Sequence, residues 1–110
     1  MKRFLLLYKG PPTSPHASHE GWPEWFDEIG GALVDLGSPM VNGFALHGDG
    51  STSDQTTSLN GFSIVQAEDR GRVRDLIADH PFLLHGGEYT IEVFEVPRSE
   101  AKRPNRGEAR

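Results

Sequence analysis

Residues 60–97 read NGFSIVQAEDRGRVRDLIADHPFLLHGGEYTIEVFEVP, and this stretch decides the fold. Asn60-Gly61 is turn chemistry. Residues 61–67 are apolar and β-rich, which predicts a strand. Asp69 is a candidate helix N-cap, and Pro81 stops the helix that follows, so a helix is expected over 69–79. Val73, Leu76, Ile77 and His80 fall at i, i+3, i+4 and i+7, an apolar stripe that ends on a histidine. Gly86-Gly87 turns the chain, and residues 89–96 form a second strand rich in aromatic and β-branched side chains.

Upstream, the same pattern occurs once more. Residues 2–8 contain Phe4-Leu5-Leu6-Leu7-Tyr8, apolar at both parities, so this strand is covered on both sides and belongs in the middle of a sheet. Residues 10–21 hold three prolines and two histidines and predict a loop. Trp22, Trp25, Phe26, Ile29, Leu33 and Leu36 then keep helical spacing, with Pro23 at the first turn and Gly37 and Pro39 as stop signals; a helix over 22–36 is expected. Gly30-Gly31 is its weak point, since each Gly costs about 1 kcal/mol against Ala inside a helix. Residues 40–47 predict a strand bent at Asn42-Gly43, and 47–59 a long polar loop.

The order strand, helix, strand, strand, helix, strand is the α+β, ferredoxin-like βαββαβ arrangement: a four-stranded antiparallel sheet with two helices on one face. Neither parity of the predicted strands is polar, so the second sheet face is also apolar. A large bare apolar face is uncommon on a soluble monomer, and a second copy packed sheet against sheet would cover it. A homodimer is therefore expected.

The chain has 110 residues, net charge -5 and no cysteine. One domain over 1–97 is expected, followed by a basic disordered tail over 98–110 that carries five Lys/Arg against two Glu. The acidic body argues against nucleic-acid binding, and no run reaches the ~20 apolar residues of a membrane span. The lack of cysteine excludes disulfides and thiolate chemistry and fits a reducing cytoplasm.

The runs MKRFLLLYKGP, WPEWFDEIGGALVDLGSP, GFSIVQAED and ADHPFLLHGGEYTIEVFEV resemble the YCII-related family. The resemblance spans about residues 1–97. It implies the dimeric α/β-barrel fold and, for some members, a His–Asp pair in a cleft. The family's helix-one histidine has no match here, since Trp25 and Phe26 stand in that region; only Asp79-His80-Pro81-Phe82 lies where the family keeps a polar residue before Pro.

His80 is the leading candidate for an acid or base, with Asp79 beside it in sequence; the alternative is a histidine bonded to backbone at a helix end. Trp25 and Phe26, with Tyr8 and His47, are candidate ligand-binding residues; two tryptophans one turn apart also serve as plain core. His16, His19, His47 and His85 lack the tight spacing of metal sites, so no metal is expected, and no cofactor either. Glu92, flanked by apolar residues, calls for a partner from Lys2, Arg3 or Tyr8 if its face is covered.

Three functions follow. The first is a non-catalytic homodimer that binds a small organic molecule. The second is a cofactor-free enzyme of lyase, isomerase or monooxygenase-like type that uses His80. The third is a protein-interaction module using the 48–59 loop or the tail.

Overall fold

Strand β1 (Lys2–Lys9) runs up the middle of the sheet, and its apolar run presents side chains to both faces. Phe4, Leu6 and Tyr8 enter the core, while Leu5 and Leu7 point to the opposite face and are half-buried. A computed structural model describes residues 1–11, 21–55 and 57–97. In chain order β1 is followed by α1 (Trp22–Ile29), β2 (Leu33–Pro39), β3 (Phe44–Leu46), β4 (Thr52–Asp54), β5 (Leu59–Ala67), α2 (Arg70–Ile77) and β6 (Thr90–Val96). Short 3₁₀ turns occupy Gly30–Ala32 and Pro81–His85.

The sheet order is β2-β5-β1-β6, with every pair antiparallel. This is the expected α+β, ferredoxin-like sheet. The core forms between it and the two helices: Phe4, Leu6, Tyr8, Val65 and Ala67 from the strands meet Trp25 and Ile29 of α1, Val73 of α2 and Phe82. Burying each large apolar side chain contributes about 1.5–3 kcal/mol. The register assigns the far face as well. Leu5 stands opposite Ile64 and Phe94, and Leu7 opposite Phe62 and Glu92. That face is a row of Leu, Ile and Phe side chains with no helix on it. An ion pair on it joins Lys9 Nζ to Glu92 at 3.2 Å, so Lys9, rather than Lys2, Arg3 or Tyr8, partners this carboxylate.

The first helix and the second sheet strand differ from the sequence expectation. α1 stops at Ile29 instead of running to Leu36, because Gly30 takes φ +52 and turns the chain out of the helix. Residues 33–39, expected at the end of the helix, form the sheet strand instead. Leu33 pairs with Val65, and bulges follow on either side of Asp35. Residues 40–47 therefore do not supply the second sheet strand. Phe44–Leu46 pair with Thr52–Asp54 in a separate hairpin, so the expected irregular loop contains a short strand.

α2 starts where Asp69 caps it: the carboxylate accepts from the Arg72 N–H at 2.9 Å. His80 lies beyond the helix in extended conformation, as the following proline requires. Among the described residues no helix is long and apolar enough to cross a membrane. The basic tail, and most of the 10–21 loop with His16 and His19, lie outside the described residues.

Candidate functional site

Three elements converge on His80. Pro81 holds it at the mouth of the second 3₁₀ turn, which its Nδ1 caps by accepting the Phe82 N–H at 2.9 Å. An imidazole nitrogen that accepts a backbone N–H carries no proton, so the neutral ring has its hydrogen on Nε2. Nε2 lies 3.2 Å from Tyr8 Oη and donates to it. The Tyr8 hydroxyl donates in turn to Ser63 Oγ at 2.8 Å, and Ser63 donates to the Leu36 carbonyl at 2.7 Å. The proton direction of these linked bonds, from the start of the second 3₁₀ turn through β1 and β5 to β2, is thus set by one backbone amide.

The surroundings are aromatic. The His80 ring sits 4.1 Å from Trp25, 4.7 Å from Trp22 and 5.1 Å from Tyr8, centroid to centroid, and is 0 % exposed. Trp25 is itself anchored by Nε1–H donating to the Leu76 carbonyl at 3.1 Å. Burial in this box pushes the His80 pKa down to about 3. Burial likewise pushes Tyr8 up to about 12, against a smaller lowering by the Ser63 hydrogen bond. At neutral pH both groups are uncharged.

On the other side of Tyr8 a cavity of about 860 Å³ opens at one end of the sheet. Its apolar wall includes Tyr8, Phe82 and, on α1, Trp22 and Phe26. The opposite wall is residues 36–42, the end of β2 and the chain beyond it, with the first residues of β5 below. The bulged end of β2 can approach so closely because Gly37 has no side chain: at φ +81, a Cβ there would collide with the Phe62 carbonyl. The only charged side chain in the wall is Asp27, among the described residues.

The residues singled out from sequence are distributed unequally. Tyr8 and Phe26 line the cavity. His80 is buried behind its wall and connected to it through Tyr8, and Trp25 is buried beside His80 and Phe26. Asp79 is exposed, and among the described residues no hydrogen bond or ion pair joins it to His80. His47 sits on the hairpin, where its Nε2 meets Ser53 Oγ at 2.8 Å, outside the cavity wall. Among the described residues no three His, Asp or Glu side chains gather as a metal would need. Ser63 is the member that sequence reasoning missed. Its signal was faint: a lone hydroxyl at the parity of Val65 and Ala67 on an otherwise inward apolar strand.

No family model matches the chain, and no curated protein sequence matches it. Among solved structures it is similar to 5-chloro-2-hydroxyhydroquinone dehydrochlorinase (TftG) from Burkholderia phenoliruptrix AC1100 in complex with 2,5-dihydroxybenzoquinone. The identity is 19%, the match covers 89% of this chain and 96% of that chain, and the TM-score is 0.56. At that identity the likeness shows the fold alone, a ferredoxin-like α+β chain.

Proposed function

We propose that this chain is a small-molecule-binding homodimer of YCII-related type, working in the cytoplasm, that takes a single-ring organic ligand in the cavity between α1 and the end of β2. The carrying observation is that cavity. Its volume of about 860 Å³ falls in the range of ligand sites, and flat aromatic side chains wall it. Tyr8, Trp22 and Phe26 offer ring faces and edges to a planar guest. The similar solved structure holds 2,5-dihydroxybenzoquinone, a guest of this shape. The second copy would pack on the bare sheet face of Leu5, Leu7, Phe62, Ile64 and Phe94.

The test is calorimetric titration with a panel of single-ring aromatics, paired with NMR of the tryptophan indole N–H signals. A saturable heat with a shift of the Trp22 signal, weakened about tenfold in Phe26→Ala, is the expected result. No heat and no shift across the panel would overturn the proposal.

A second reading is a cofactor-free enzyme in which His80 acts as acid or base. One observation favours it: His80 is a single hydrogen bond behind a residue of the cavity wall. Binding stands ahead because both ring nitrogens are already engaged and burial holds the ring neutral. Once a turned-over ligand is known, a His80→Ala variant with unchanged turnover would dispose of the enzymatic role.

A further inference from the structure

The polar side chains of the cavity wall have mostly turned their hydrogens away from it. Tyr8 O–H is committed to Ser63 Oγ, and its direction is fixed from behind by His80. Ser38 Oγ donates to the Pro39 carbonyl at 2.8 Å. Asn60 Nδ2 donates to the carbonyls of Gly10 and Pro11 at 3.2 and 3.3 Å, and Gln55 Nε2 to that of Thr57 at 2.7 Å. What Tyr8, Ser38 and Asn60 keep is oxygen lone pairs, while Gln55 keeps its amide oxygen and one N–H. Asp27 adds a carboxylate, an acceptor only. Asn42 contributes an amide with both kinds of group, and among the described lining residues there is no Lys, Arg or His.

We propose, resting on the binding reading above, that the cavity selects neutral aromatic rings bearing hydrogen-bond donors, phenolic hydroxyls above all, over ethers and over anionic carboxylates of the same size. A phenol O–H meets an accepting oxygen at Tyr8, Ser38 or Asn60. A methyl ether brings only further lone pairs, leaving buried polar atoms unmatched on both sides. A benzoate meets Asp27 without any cation to offset it.

The experiment titrates the wild-type chain with hydroquinone, 4-methoxyphenol, 1,4-dimethoxybenzene and benzoate by calorimetry at pH 7. Affinity is expected to fall in that order over the first three, by about three- to tenfold for each hydroxyl converted to ether. Benzoate is expected to bind at least about tenfold more weakly than hydroquinone, and Asp27→Asn to narrow that gap; Asp27 is exposed, so the substitution leaves the core intact. Dimethoxybenzene binding as tightly as hydroquinone, or a benzoate gap unmoved by Asp27→Asn, would overturn the donor selectivity while leaving the binding site standing. If none of the four rings binds, the cavity reading itself is overturned, and the selectivity with it.

Discussion

His80 donates from Nε2 to the Tyr8 hydroxyl across 3.2 Å, although 72 positions separate them in the chain. The bond has a direction because the Phe82 N–H occupies the other ring nitrogen. A proton added to this ring must therefore displace a backbone hydrogen bond inside an aromatic box.

The first expected outcome concerns acid. His80 falls from its ordinary 6.5 to about 3 through burial. Between those values the unfolded chain binds the proton and the folded chain refuses it, so folding stability rises with pH across the window and is lost as pH falls. The slope approaches about 1.4 kcal/mol per pH unit at most. Urea unfolding from pH 7 to pH 4.5 should show it, and His80→Gln, less stable at pH 7, should flatten it. Nitrogen NMR should find His80 protonated on Nε2 throughout.

Ser63→Ala removes the acceptor of one buried bond and the donor of another, to Tyr8 and to the Leu36 carbonyl. A loss of about 1–3 kcal/mol is expected in denaturant unfolding. Tyr8→Phe in the Ser63→Ala background should cost less than Tyr8→Phe alone, since the two share a bond; strict additivity would refute the coupling.

Gly37→Ala should be among the most damaging single-methyl additions in the chain. The left-handed φ and the collision with the Phe62 carbonyl act together, and a loss of several kcal/mol or failure to fold is expected. Gly48→Ala, where the added methyl meets nothing, is the control, and its melting temperature should stay near the wild-type value.

Phe94→Glu tests the second copy. Phe94 is 51 % exposed on the bare face opposite Leu5, so a charge there costs the single chain little. Sedimentation at low micromolar concentration should give a two-chain mass for wild type and a one-chain mass for the variant. A one-chain wild type would remove the homodimer from the proposal.

The sheet was largely legible from sequence because its signals are local. The double-parity run of β1 announced a central strand, and Asp69 and Pro81 bracketed α2. The confusion began at Gly30. Leu33 and Leu36 continue the helical spacing of Trp22, Trp25 and Ile29, and nothing local says that Leu33 will instead pair with Val65. Tertiary pairing overrode the periodicity, and the Gly-Gly step was the mark of it. At the site, His80 and Tyr8 stand out by residue type. The link between them does not, because it depends on a crossing of β1 and the second 3₁₀ turn that no spacing encodes. The cavity was illegible for the same reason: one of its walls is the bulged end of β2, the element that sequence placed elsewhere.

The position of β1 has a cost in time. It is synthesised before both of its neighbours, β5 and β6, the latter ending at Val96. Until Val96 has left the ribosome, the greasiest strand of the protein waits without its full set of partners, exposed to chaperones and to other nascent chains. Moving β6 ahead of β1 by circular permutation would shorten that wait, and the yield of folded protein at high expression should rise with it.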